Sequence, residues 1–177
     1  MRIVGGENKG RRIKVPKKGI RPTKGIVRGA IFNIIGERIN NADTLDIFAG
    51  SGALGLEAIS RGAKSCIFIE KNPRFLFENI KYFSCNDKKI QIIIGDFRLG
   101  LRRLKGKEFD IIFIDPPYHD NYVQTTLNLI SKNHFLKENG MIVVEHYYEK
   151  KLSLPEGFAI FKKKKYGETV VSFINKN

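Results

Sequence analysis

Apolar residues fall into short continuous runs separated by amphipathic stretches, and the two patterns alternate along most of the chain. Thr44–Phe48, Ser65–Glu70, Ile90–Ile94, Phe109–Ile114 and Met141–His146 read as strands. Phe109–Ile114 is nearly all apolar, as expected of a strand buried on both faces. Between the strands lie helical stretches near Ala53–Arg61, Pro73–Ser84, Phe97–Leu104 and Asn121–Asn133, with Pro73 well placed at a first turn. Strands alternating with helices imply an α/β fold, a doubly wound and mostly parallel sheet with helices on both faces. The end differs: Phe158–Tyr166 and Thr169–Ile174 are β-prone runs meeting at Gly167-Glu168, an antiparallel hairpin that brings the strand count to seven.

The beginning differs too. Arg2–Val4 and Arg12–Val15 form a short ribbon turning through Gly5, Gly6, Asn8 and Gly10. Gly19–Thr23 is an irregular link, and a helix follows over Thr23–Gly36 with Val27, Ile31, Ile34 and Ile35 on one face. Gly25 and Gly29 each cost that helix about 1 kcal/mol relative to Ala. Residues 1–40 are therefore expected to be a small ribbon-and-helix extension, and 41–177 the main domain.

Composition narrows the class. At 177 residues and 42% hydrophobic the chain can build a real core, and no run approaches the length of a membrane span. Cys66 and Cys85 are too few for a disulfide framework and lack metal-ligand spacing, which suits a reducing compartment. The opening Met-Arg-Ile-Val runs straight into polar, Gly-rich sequence without an apolar signal core, so the expectation is a cytoplasmic monomer without metal.

Charge changes the picture most. The net charge is +14, and residues 1–28 hold ten basic side chains against the single acid Glu7. Clustering of Arg2, Lys9, Arg11, Arg12, Lys14, Arg21 and Arg28 in this arm points to a phosphate backbone as partner. A second cluster, Lys162–Lys165 with Lys150 and Lys151 upstream, has two readings: phosphate contact, or charges that blunt an exposed edge strand.

In a doubly wound sheet the ligand lies beyond the carboxyl ends of the strands. After the first strand come Asp46-Ile47-Phe48-Ala49-Gly50-Ser51-Gly52-Ala53-Leu54-Gly55, in which Gly50, Gly52 and Gly55 satisfy G-x-G-x-x-G between strand and helix. Glu70, at the end of the second strand, can accept from both hydroxyls of a ribose; the plainer alternative is a capping acid before Asn72-Pro73. Together they indicate a nucleoside-containing cofactor. Asp96 follows the third strand and serves either as acceptor for an adenine amino group, with Phe97 packing on the ring, or as the N-cap of the next helix.

The fourth strand ends in Asp115-Pro116-Pro117-Tyr118. Two prolines stiffen the loop and remove two N–H donors, so Asp115 and a proline carbonyl can both accept from an exocyclic amino group. Tyr118 offers a flat face to an unstacked base. A conjugated amine is a poor nucleophile, and acceptors that fix its N–H bonds and take up charge are what its chemistry needs. His119, His134 and His146 lack ligand spacing.

These residues resemble a class I S-adenosylmethionine-dependent methyltransferase with a Rossmann-like sheet, and more narrowly the bacterial 16S rRNA guanine-N2 methyltransferase family. The resemblance runs through Arg2-Ile3-Val4-Gly5-Gly6, Lys9-Gly10-Arg11, Arg21-Pro22-Thr23, Val27-Arg28, Ile31-Phe32-Asn33 and the stretch from Leu45 to Ala63. It continues in Glu70-Lys71, Asp115–Tyr118, Val144-Glu145-His146 and Lys165–Thr169. The resemblance implies S-adenosylmethionine held by Asp46, Phe48, Gly50, Ser51, Gly52, Gly55, Glu70, Lys71, Asp96 and Phe97. It further implies a flipped guanine held by Asp115–Tyr118, and 16S rRNA or an assembling small subunit as partner. Where the family carries Asp-Arg before Val-Arg-Glu, this chain has Gly25, Ile26 and Gly29. Adenine N6 in DNA, another RNA, and a non-catalytic RNA-binding assembly factor are the rival readings. A nicotinamide dehydrogenase would need a second domain for which this chain has no room.

Overall fold

A computed structural model describes residues 1–16, 25–83, 89–117, 121–149 and 151–177. Its seven strands are β1 (Asp43–Ile47), β2 (Ser65–Glu70), β3 (Ile90–Ile94), β4 (Phe109–Ile114), β5 (Leu136–Tyr147), β6 (Phe158–Tyr166) and β7 (Thr169–Lys176). They form one sheet in the order β3-β2-β1-β4-β5-β7-β6. The first five strands are parallel, and β7 enters antiparallel between β5 and β6. This is the expected doubly wound sheet with a closing hairpin. The hairpin turns through Gly167 at φ +63°, a left-handed backbone that glycine adopts without a Cβ penalty.

Among the described residues five α-helices cover the sheet: α1 (Gly25–Ile35), α2 (Ala53–Ser60), α3 (Arg74–Tyr82), α4 (Phe97–Arg102) and α5 (Tyr122–Lys132). Alternation of side chains along each strand divides the core into two layers. Phe68, Phe113, Val143 and Phe173 face α1 and α2, whereas Ile69, Ile112, Ile114 and Ile174 face α4 and α5. None of the described helices is long and apolar enough to cross a membrane.

Most element boundaries lie within two residues of those read from the sequence. The exception is β5, which begins at Leu136 rather than Met141. Leu136 pairs with Phe109, and the register then slips so that Met141 meets Ile111. The polar run Lys137–Gly140 interrupts the apolar pattern without ending the strand. The link at 19–23, the expected end of the Pro73–Ser84 helix, Cys85, Tyr118, His119 and Lys150 lie outside the described residues.

The N-terminal ribbon is real but minimal: Arg2 and Arg12 form one antiparallel bridge, with Ile3 N–H donating to the Arg11 carbonyl at 2.9 Å. Ile3 and Ile13 are buried in the same apolar layer as α1, α2 and Phe113, so residues 1–16 share the core of the sheet. The ribbon docks on the end of α2, where Glu7 N–H donates to the Ser60 carbonyl and Asn8 N–H to Ser60 Oγ, at 2.8 and 2.9 Å. A Cβ on Gly6 would lie 1.8 Å from the Ser60 carbonyl oxygen, and Gly6 sits at φ +75°. The Gly5-Gly6 pair thus marks a close backbone approach.

Beneath the ribbon lies Glu57 of α2, wholly buried. Its carboxylate accepts from Val4 N–H (2.8 Å), Gly5 N–H (2.7 Å), Arg28 Nε (3.0 Å) and Arg61 Nε (2.8 Å). Arg28 is equally buried and also donates to the Arg2 carbonyl. Removing one partner of a buried ion pair strands the other charge. Glu57→Ala is therefore expected to destabilise the protein by about 3–5 kcal/mol in urea unfolding, and to expose Met1–Gly10 to limited proteolysis. A loss under about 1 kcal/mol, the level of an exposed pair, would contradict this account.

Candidate functional site

The strand order reverses between β1 and β4, since β1 leads to β2 on one side and β4 to β5 on the other. At their carboxyl ends lies a cleft of about 680 Å³. Asp46, Phe48, Gly50, Ser51, Glu70 and Lys71 line it from one side. Asp96, Phe97, Asp115, Pro116 and Pro117 complete it. Of the expected cofactor residues only Gly52 and Gly55 stand behind the lining.

The glycine loop shows why each glycine is needed. Phe48, Gly50 and Gly52 all have positive φ (67°, 55° and 79°), which turns the chain sharply from β1 into α2. Phe48 is the costly member, because a bulky side chain is strained there. At Gly50 the direction of a side chain is open, the nearest atom being the Phe48 carbonyl oxygen at 4.0 Å. At Gly55 the reason is packing: a Cβ would sit 2.3 Å from the Phe68 ring and 2.6 Å from Cys66 Sγ.

Four carboxylates sit at or just past the strand ends. Asp46 is buried and accepts from Gly55 N–H at 2.9 Å. Burial lifts its carboxyl to about 7; the Gly55 N–H opposes this, while Asp115 and Glu70 push the same way as burial. Glu70 accepts from Gly50 N–H at 2.7 Å and Asn72 N–H at 2.8 Å. It therefore does tie down the loop like a capping acid, while its carboxylate still lines the cleft. Asp96 caps α4, accepting from Arg98 N–H at 2.9 Å and pairing with the Arg98 side chain at 3.1 Å. Of its two readings the structure makes the cap; Asp96 also lines the cleft. Asp115 is half-buried just past β4, Pro116 is buried and Pro117 exposed.

Three contributors escaped the sequence reading. Tyr122 stacks on Phe48 at 5.7 Å and meets Phe97 edge-on at 5.4 Å, completing an aromatic wall. Arg98 lies over Phe97, 4.6 Å from the ring centre. Asn79 of α3 is buried; it donates to the Lys14 and Ser51 carbonyls at 2.9 Å each and accepts from Lys14 N–H at 2.8 Å. It fastens the ribbon to the glycine loop, and Val15 and Pro16 consequently join the cleft wall. A buried polar residue among the apolar positions Leu76, Ile80 and Phe83 was the available signal.

The basic arm divides. Arg2, Lys9, Arg11, Arg12 and Lys14 are exposed. Arg11 reaches the Tyr82 carbonyl, and Lys14 pairs with Glu78 at 3.2 Å. Arg21 lies outside the described residues. Arg28, expected to face RNA, is fully buried against Glu57, so it serves the fold and is withdrawn from the basic surface.

Open glycine backbone, a carboxylate at the second strand end and an aromatic wall suit a nucleoside. Burial keeps a proton on Asp46, and a cation bound beside it would draw that proton off. Because folded Asp46 keeps its proton to about pH 7 and an unfolded Asp loses it near about 3.9, the folded chain binds more protons in between. The contribution of this group to stability is full below about pH 4 and is lost as pH rises through about 7. Urea unfolding of wild type and Asp46→Asn, whose amide oxygen still accepts from Gly55, should show wild type losing up to ~1.4 kcal/mol per pH unit relative to the variant. Parallel pH profiles would refute the buried, protonated state.

Comparison with known proteins adds the following. A family model described as Conserved hypothetical protein 95 matches residues 1–175. The ribosomal RNA small subunit methyltransferase D of Buchnera aphidicola is 37% identical, covering 92% of this chain and 86% of its own. Its namesake in Escherichia coli is 34% identical over 95% and 86%. A solved structure described as a putative methyltransferase yhhF from Escherichia coli matches at TM-score 0.90 and 32% identity, covering 100% of this chain and 98% of that one.

Proposed function

The chain belongs to the family described as Conserved hypothetical protein 95, together with the ribosomal RNA small subunit methyltransferases D, and from that premise we propose that it methylates the exocyclic N2 of a guanine in 16S rRNA, using S-adenosylmethionine. The observation that carries the reading is the placement of Asp115-Pro116-Pro117 in the same cleft as the Gly50 loop and Glu70. A base amine and a nucleoside cofactor can meet there.

When bound, S-adenosylmethionine supplies a methyl group activated by a sulfonium. Gly50, Ser51 and Glu70 would hold its nucleoside, Phe48 and Phe97 its apolar face, and Asp46 the region of positive charge. Asp115 accepts an N–H of the target amine and stabilises the charge that grows on nitrogen as it attacks. Pro116 and Pro117 have no N–H, so their carbonyls remain as acceptors and the loop stays stiff. Tyr118 would stack on the extruded base. The exposed cations Arg2, Lys9, Arg11, Arg12 and Lys14 would hold flanking phosphates.

The test is transfer of label from S-adenosylmethionine to small-subunit RNA or particles lacking the mark, with the nucleoside identified by mass spectrometry. Label on guanine N2 supports the proposal; label on adenine, on DNA or on large-subunit RNA overturns it. Asp115→Ala should lower transfer by at least ~10²-fold while cofactor affinity, measured by calorimetry, changes less than ~3-fold, a binding effect below 1 kcal/mol. Equal loss of both would mean that Asp115 binds cofactor and does not act on the amine.

A further inference from the structure

The lysine cluster of the final hairpin is not used by anything described so far. β6 is the outermost strand of the sheet, and Lys162, Lys163, Lys164 and Lys165 are all exposed on it. Their partners on β7 are Phe173, Ser172, Val171 and Val170, none of them acidic. Among the described residues no carboxylate lies within ion-pair distance of any of the four.

Register places this strip at the mouth of the cleft. Lys163 pairs with Ser172, Ser172 with Val144, and Val144 with Ile114, the last residue of β4. Lys164 and Lys165 lie one and two steps further, level with Asp115 and Pro116. Three inter-strand spacings separate β6 from β4, about 14 Å. The end of the ribbon, fastened to α3 at Lys14, brings Val15 and Pro16 to another side of the same cleft.

The strand is also shaped for contact. Between Ile160 and Lys162 the register slips, so Phe161 and Lys162 together oppose Phe173, and such a bulge bends and re-aims an edge. Beyond it, Lys162 and Lys164 share one face and Lys163 and Lys165 the other. Lys165 Nζ lies 4.3 Å from the ring centre of Tyr148, which is 43% exposed and packs 4.8 Å from Tyr147. Cations beside a partly exposed aromatic ring are elements of a single-stranded nucleic-acid surface.

A lysine on an exposed edge strand guards it against pairing. Four successive lysines, about 3.4 Å apart along the strand and without an ion-pair partner among the described residues, repel one another in the free protein; Glu149, which accepts from Tyr148 O–H at 2.8 Å, is an acid beside them. That repulsion is relieved by a polyanion. We propose that β6 and Tyr148 form a second RNA-binding surface, holding the backbone on another side of the cleft from the ribbon. The proposal rests on the rRNA reading above and adds to it a two-sided grip around the target base.

The test compares full-length wild type with K162Q/K163Q/K164Q/K165Q and with the fourfold Lys→Arg variant. Binding to unmodified small-subunit rRNA is measured across salt concentrations. The Gln variant should bind at least ~10-fold more weakly near 0.1 M salt, with the slope of log K against log salt smaller by about 2–3. The Arg variant should bind like wild type, and all three should bind S-adenosylmethionine alike.

Unchanged RNA affinity and slope in the Gln variant, with a loss in R11Q/R12Q, would overturn this proposal and leave the rRNA reading standing. Failure of wild type to label small-subunit rRNA would sink the reading itself, whatever the variants do. Self-association of the Gln variant with RNA affinity intact would show that the lysines only guard the edge. Lysine-dependent binding to phosphatidylserine vesicles with RNA affinity intact would assign the strip to a membrane surface. Either result overturns the proposal.

Discussion

A single buried carboxylate organises the front of this molecule. Glu57 sits in the helix that follows the glycine loop, and without its four donors it would be an intolerable charge in an apolar layer. Two donors are backbone N–H groups of the ribbon, and two are arginine side chains. The position of the ribbon follows from this, because Val4 and Gly5 cannot leave without exposing a buried anion to unpaired burial. The pair is thus a device of specificity: it holds one arrangement of ribbon, α1 and α2 against looser alternatives.

From that anchor the consequences run toward the cleft. The ribbon continues to Lys14, whose backbone exchanges hydrogen bonds with Asn79, and Asn79 in turn holds the carbonyl of Ser51 in the glycine loop. One buried amide therefore joins the basic surface to the glycine loop. At the other end of that loop, Glu70 holds Gly50 and Asp46 holds Gly55. The loop is pinned at three points by side chains from β1, β2 and α3, which offsets the strain of Phe48 at positive φ. A cleft built this way is preorganised: its acceptors and open glycine backbone are in place without rearrangement.

The strands were legible because apolar runs in a parallel sheet leave no ambiguity of face, and the glycine loop because its spacing reports backbone geometry. Asp115, Pro116 and Pro117 were legible because their position at a strand end and their residue types agree. Arg28 was not, since a cation in a basic arm looks the same whether it faces solvent or a buried carboxylate. A signal did exist: it stands four before Phe32 and seven before Ile35, on the buried stripe of α1. Asp96 kept two meanings because capping and ligand binding use the same oxygen atoms. Tyr122 carried no signal, because only tertiary packing brings the start of α5 against Phe48 and Phe97.

The charge excess is then better understood by where it is not neutralised. Arg28 and Arg61 are matched by Glu57, Lys137 by Asp110 at 2.8 Å, and Arg98 by Asp96. These cations complete the fold and contribute little field beyond it. Among the described residues, exposed cations are left on the ribbon, on β6 and at Arg102, Arg103, Lys105 and Lys107 at and beyond the end of α4, while Asp46, Glu70 and Asp115 line the cleft. Such a field draws a polyanion to the rims and keeps its phosphates out of the centre, where like charges would repel. What can enter the centre is the part of a nucleotide that carries no charge. Under the proposed function, the base that carries the target amine is the part that enters, and the charged rim holds the phosphates on either side of it.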